Sequence, residues 1–240
     1  NQDQLRSVLR RLFLSEVPMV NATRSRSRSR ERQAVKAQKR GPVAGARVVL
    51  NIPGPTEIPD EVLRAMHRQS LPLAPHGELD EIVTSIQDDL RPLFGCCAES
   101  EIFLHAANGH GMWDAILLNT LKPGDRILAL ESGMFSKDWA DCGTACGLTS
   151  ELMPGSWTAA VDLAKLEERL AADSERQIRA VLAVQVDTAS GIKNDIEAIG
   201  AMMRRSGHDA LFFVDAVACF AVHEMRSFAA PKKKEHMRNI

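Results

Sequence analysis

The chain has 240 residues, 45% of them apolar and 25% charged, an ordinary balance for a globular protein. Its longest apolar stretch, residues 210–222, is interrupted by Asp215 and falls short of the roughly 18 to 20 apolar residues that a membrane-crossing helix needs. The formal charge of −1 hides a split: residues 1–47 carry twelve Lys or Arg against three acids, a net of +9, and residues 48–240 carry −10. This excludes a general nucleic-acid affinity for the body of the molecule.

The first 47 residues read as a disordered basic leader. "RSRSRSRER", Arg24 to Arg32, offers no apolar side chain to bury. From Met19 onward the segment is rich in Arg and Ser and nearly free of acids, which is also the composition of an organellar (mitochondrial) transit segment. Alternating Arg and Ser also suit contacts to RNA phosphates. A solvated leader without a role stands beside both readings.

The entry to the body is "VVLNIPGPTEIPDEVLRAM", where Pro53, Gly54, Pro55 and Pro59 force an extended, turning path. A helix is predicted to follow, with Asp60 near its acidic start. In "GELDEIVTSIQDDLRPLF", Leu79, Ile82, Val83, Ile86, Leu90 and Leu93 recur at helical spacing and define one apolar face.

Beyond residue 100, short apolar runs alternate with helical stretches. "EIFLHA" precedes "GHGMWDAILLNTL", and "RILAL" precedes "SKDWADCGTAC". The helical "DLAKLEERLAAD" leads into "AVLAVQV"; "IEAIGAMMRR" and "ALFFVDAV" follow. The runs are continuously apolar, as strands buried on both faces of a parallel sheet require. The predicted fold is therefore α/β: an open, mostly parallel sheet covered by helices. Ligands of such sheets sit at the carboxyl ends of the strands. That rule gathers Asn108, Gly109, Phe135, Asp187, Thr188 and Asp215 at one rim.

Each feature of the rim has a plain structural explanation as well. "HAANGHGMWDA" runs from an apolar run through a small-residue turn into a helix, where free N–H groups suit an anion and glycine permits its close approach. A tight connection would look the same. Asp215 ends "LFFVD" and is costly to bury alone. A magnesium–nucleotide partner is excluded by the lack of any GxxxxGK[ST] motif. The alternatives are a protonated heteroaromatic nitrogen or a helix-capping role. In "VDTASGIKNDI", Thr188 and Ser190 are short hydroxyls near the rim, and Asp195 reads as a helix N-cap.

The five cysteines form no framework. Cys96 and Cys97 are adjacent, Cys142 and Cys146 are four apart on a predicted helix, and Cys219 is alone. None makes a CxxC pair, so they read as small buried hydrophobes of a reducing, intracellular compartment, and no metal site is predicted.

Taken in order, "PGPTEIPDEVLRAM", "NGHGMWDAILLN" with "PGDRILAL", "SGMF", "VDTASGIKNDIEAIG" and "FFVDAVA" resemble the signatures of class V aminotransferases of the serine/alanine–glyoxylate type. The resemblance covers residues 48–222 and implies the large domain of a fold type I transferase dependent on pyridoxal 5′-phosphate (PLP). It implies an amino-group transfer between serine or alanine and glyoxylate or another small 2-oxo acid, carried out by a homodimer. Asn108, Gly109 and His110 would hold the cofactor phosphate, Phe135 would stack on the ring, Thr188 would bond the ring hydroxyl and Asp215 would pair with the ring nitrogen.

The resemblance also requires a Schiff-base lysine after Asp215, and no catalytic residue is identified for that role. Lys232, Lys233 and Lys234 lie in the charged run "PKKKEHMRN", unsuited to a desolvated amine. Residues 223–240 thus read as a divergent tail and the chain as truncated before the lysine, with an inactive product expected. Two other readings stand beside the enzyme: a non-catalytic PLP-binding or subunit-pairing fragment, and an RNA-interacting protein acting through its leader.

Overall fold

The structure is a computed structural model that describes residues 49–72, 75–96 and 100–223. The Arg-Ser leader, Cys97, the three consecutive lysines and the tail from 224 lie outside the described residues. The chain divides into two compact units, residues 1–51 and 52–240, and every described helix and strand belongs to the second.

Helix α1, Asp60–Met66, starts directly after Pro59 with Asp60 and Glu61 in its first turn. Acidic side chains there complement the exposed N–H groups of a helix start. Helix α2, Glu78–Leu93, follows the predicted apolar spacing, yet none of its residues is fully buried. It is tied to the body by Gln87, whose Nε2 donates to the Ile102 carbonyl at 2.7 Å, and by Phe94, whose ring centroid lies 4.4 Å from that of Phe220.

The predicted strand "EIFLHA" is not formed: residues 101–105 carry no regular secondary structure. Ile102 is buried while Phe103 is 82% exposed. A strand exists only where a neighbour accepts and donates its ladder bonds, and no described segment pairs with this one.

From there the alternation holds. Helix α3 spans Gly109–Thr120, strand β1 Arg126–Leu130, helix α4 Met134–Ala145 and strand β2 Thr149–Met153. Helix α5 (Leu163–Ala172), strand β3 (Ile178–Val184), a small β4–β5 hairpin (Val186–Asp187 and Ile192–Lys193), helix α6 (Ile196–Ser206) and strand β6 (Leu211–Asp215) complete the order. The four main strands lie in the order β2-β1-β3-β6, every neighbouring pair parallel, with Val184 of β3 opposite Asp215 of β6.

Strand alternation explains how one apolar run serves two cores. On one face, Ile127 and Ala129 of β1 and Ala180, Leu182 and Val184 of β3 pack with Trp113 and Leu117 of α3 and Trp139 of α4. On the other, Leu128 and Leu130 of β1 and Val181 and Ala183 of β3 meet Leu166 and Leu170 of α5 and Ile199 and Met202 of α6. The chain leaves β1 toward β2 on one side, then crosses back to β3 on the other. The carboxyl ends of β1 and β3 therefore flank the switch point where open α/β sheets form a crevice.

Candidate functional site

Asp215 closes strand β6 and is half-buried. Its Oδ2 accepts the indole N–H of Trp113 at 3.0 Å, and its Oδ1 accepts the backbone N–H of Val217 at 2.9 Å. Trp113 is 4% exposed and stacks on Trp139 of α4, with centroids 5.5 Å apart and planes 13° from parallel. The side chain that fixes the Asp215 carboxylate is thus itself locked into the core.

Three of the predicted residues gather around the same indole. The His110 ring lies 4.4 Å from that of Trp113 and 6.2 Å from that of Phe135, and Phe135 meets Trp113 edge-on at 6.5 Å. Gly109 opens α3 against the exit of β6: a Cβ there would sit 3.3 Å from Val217 Cγ2. Asn108 has a different local task. Its Oδ1 accepts the Gly111 N–H at 3.0 Å, so its side chain caps α3. Thr188 is exposed at the rim, beside Asp187.

The switch point is organised by a buried carboxylate to which sequence reasoning gave a place but no task. Asp187 is fully buried. Its Oδ2 accepts the N–H of Phe135 at 2.9 Å and of Ser136 at 3.4 Å, and its Oδ1 accepts that of Ala189 at 3.0 Å. A negative charge on the first turn of α4 is favoured by the helix dipole and by these otherwise unpaired donors. The contact passes over Gly133, where any Cβ would fall 2.2 to 2.5 Å from the Asp187 carboxylate atoms.

A buried polar network supports it. Asn194 Nδ2 donates to Ser132 Oγ at 3.0 Å and to the Val184 carbonyl at 2.7 Å, while Ser190 Oγ donates to the Ser132 carbonyl at 2.7 Å. The loops after β1 and β3 are therefore bonded to one another, and Phe135 rides on that joint. Asp195 caps α6 as predicted, accepting from Ala198 N–H at 2.9 Å. Burial, reinforced by the charge of Asp215, pushes the Cys219 thiol up, which keeps it protonated and inert.

Trp113 and Asn194 are the residues that the sequence did not single out for this site, and Asp187 stood at the rim without a role. Trp113 reads as a core aromatic at helical spacing, and it is one; only the fold shows its N–H aimed at Asp215.

Residues 48–227 match the family Aminotransferase class-V. The chain is 39% identical over 171 residues to a serine–glyoxylate aminotransferase of Methylorubrum extorquens, covering 70% of this chain and 42% of that protein. It is 34% identical over 181 residues to an L-aspartate–glyoxylate aminotransferase of Paracoccus denitrificans, covering 73% and 44%. Among solved structures, the pyridoxamine–pyruvate aminotransferase of Mesorhizobium loti superposes with a TM-score of 0.62 at 25% identity, over 78% of this chain and 46% of that one. The chain spans less than half the length of these relatives.

Proposed function

The chain belongs to the class V aminotransferases, and from that premise we propose that the rim around Asp215 takes up PLP, the cofactor that the family implies. The observation that carries this reading is the Asp215 carboxylate, fixed at a strand end by the Trp113 indole, around which the His110 and Phe135 rings gather, with the start of a 12-residue helix opening on Gly109. The site fits the group chemically. Each carboxylate oxygen has two acceptor positions, and the indole and the Val217 amide occupy one on each, so capacity remains for a protonated ring nitrogen.

Each residue then has a defined task. Asp215 holds the ring-nitrogen proton in place. Phe135 sets the plane of the ring, which fixes the direction in which a substrate bond must stand. Gly109 and His110, with Asn108 capping the same turn, offer donors and a close backbone approach to the phosphate. Thr188 bonds the ring hydroxyl. The cofactor, when bound, supplies the electron sink for amino-group transfer.

The names of the two relatives matched by sequence share glyoxylate and differ in the amino donor, serine in one and L-aspartate in the other. Transfer from serine or alanine to glyoxylate or another small 2-oxo acid is the reaction proposed for the lineage. Residues 48–222 are proposed as part of its large domain, and pairing of two copies as its assembly. The exposed Val62, Leu63, Met66 and Phe103 support the pairing, because an apolar surface of this kind gains by being covered.

Titration of the purified chain with PLP tests the site. Saturable binding, weakened about tenfold or more by Asp215→Ala and by omission of the phosphate (pyridoxal in place of PLP), is the expected result. Binding is proposed to be non-covalent: after borohydride reduction, peptide mapping should find no uniquely modified lysine. One uniquely modified lysine would establish a covalent anchor and overturn that part of the proposal.

A further inference from the structure

Away from the rim, helices α3 and α4 carry a second cluster of reactive side chains. Cys142 on α4 and Cys146, which caps the helix's C-terminus, stand one turn apart, so both thiols lie on the same side of the helix. Asp114 reaches them from α3. Its Oδ1 accepts from Cys142 Sγ at 3.0 Å and from Cys146 Sγ at 3.7 Å, and the three ligand atoms all lie within 4.8 Å of one another. Both cysteines are half-buried against the α3/α4 core, while Asp114 is exposed, so the cluster is held from below and open from above.

We propose that Asp114, Cys142 and Cys146 form a binding site for a thiophilic divalent cation, zinc foremost, with water as the fourth ligand. A tetrahedral zinc ion with Zn–S near 2.3 Å and Zn–O near 2.0 to 2.2 Å keeps its ligand atoms about 3.4 to 3.8 Å apart. For a sulfur–oxygen pair the value is about 3.5 to 3.7 Å; the Cys146 separation of 3.7 Å meets it and the Cys142 separation of 3.0 Å is about half an ångström short, a shift that a side-chain rotation supplies. Two sulfurs and one oxygen disfavour magnesium and calcium, which take oxygen donors.

Burial, followed by the Asp114 carboxylate, pushes Cys142 up to about 12 and raises Cys146 as well, so a cation must displace both protons and binding should strengthen as pH rises. Binding replaces both S–H protons with metal–sulfur bonds, releases two protons to solvent and leaves a net charge of −1 on the ion and its three ligands. The ion would clamp α3 to α4, the helices whose first turns carry Gly109, His110 and Phe135. Sequence reasoning passed over the site because two ligands are four apart, not three, and the third comes from another helix.

The test uses the reduced full chain with cobalt(II) and then zinc(II). Cobalt should give a thiolate-to-metal charge-transfer band with intense tetrahedral visible bands while releasing two protons per ion, and zinc should then bleach both bands with no further proton release. On the unaltered chain, zinc should shield Cys142 and Cys146 from iodoacetamide and leave Cys96 as reactive as before. Cys142→Ser and Cys146→Ser should each weaken binding more than tenfold, and Asp114→Asn about tenfold. The proposal is overturned by the lack of a charge-transfer band, by a band that survives the double Cys→Ser change, or by alkylation that zinc leaves unchanged.

Discussion

Asp187 and Asp215 both follow apolar strand runs, and their surroundings divide the work between them. Asp187 is fully buried and has committed both oxygens to the N–H groups of Phe135, Ser136 and Ala189. Asp215 is half-buried and retains acceptor capacity toward the rim. Asp187→Asn turns one acceptor oxygen into a donor that faces N–H groups, so stability should fall by about 1 to 3 kcal/mol. Asp215→Asn keeps an acceptor for Trp113 or for Val217 and should cost less stability, while losing PLP affinity. Denaturant midpoints and a PLP titration on both variants separate the two roles; equal losses of stability would contradict the division. In the sequence the two residues look alike. Asp215 drew attention through its partnerless charge, whereas the donors that claim Asp187 become visible only when α4 is folded over β4.

Among the elements, those marked by continuous apolar runs were legible: β1, β3 and β6 form where the sequence places them. Strand β2, "TSELM", was missed because it lies at the edge of the described sheet and carries Glu151, a residue that no apolar-run criterion selects. "EIFLHA" erred in the opposite direction: its composition suits a strand, but pairing is a property of neighbours. Glu151 explains how a charged edge is stabilised. Arg169 of α5 grips it with two hydrogen bonds of 2.5 and 2.7 Å, and that contact holds the Glu151 carboxyl below its usual range. Beneath it, burial works against the charge of Asp173, but the Ile178 and Gln177 N–H groups and the His208 ring outweigh it and lower its pKa. Groups whose folded pKa is depressed contribute stability that is fully present above the unfolded value and lost as pH falls through the folded one. The unfolding midpoint should therefore be insensitive to these groups above about pH 5 and drop below about pH 4. Glu151→Gln should flatten part of that drop, as urea melts across pH 3 to 7 would show; an unchanged profile would contradict the assignment.

At the scale of the whole molecule, burial is uneven. Between Ile127 and Phe213 the sheet is covered on both faces, whereas Ile58, Leu63, Met66, Ile86, Leu93 and Phe103 are exposed by 40% or more. The apolar face of α2 was legible as helical spacing, but its incomplete cover was not, because periodicity reports a face and never what lies against it. Sedimentation velocity should reveal concentration-dependent self-association, reduced by Leu63→Glu with Met66→Glu; a monomer at all concentrations would contradict the pairing of copies. The cofactor site itself is tested most directly through Trp113, which both bonds Asp215 and touches His110. PLP bound at the rim should quench indole emission saturably and excite the cofactor by energy transfer, and Trp113→Phe combined with Trp139→Phe, its stacked neighbour, should remove most of that response while Trp157→Phe leaves most of it. A response carried by Trp157, or none at saturating PLP, would contradict the assignment of the site.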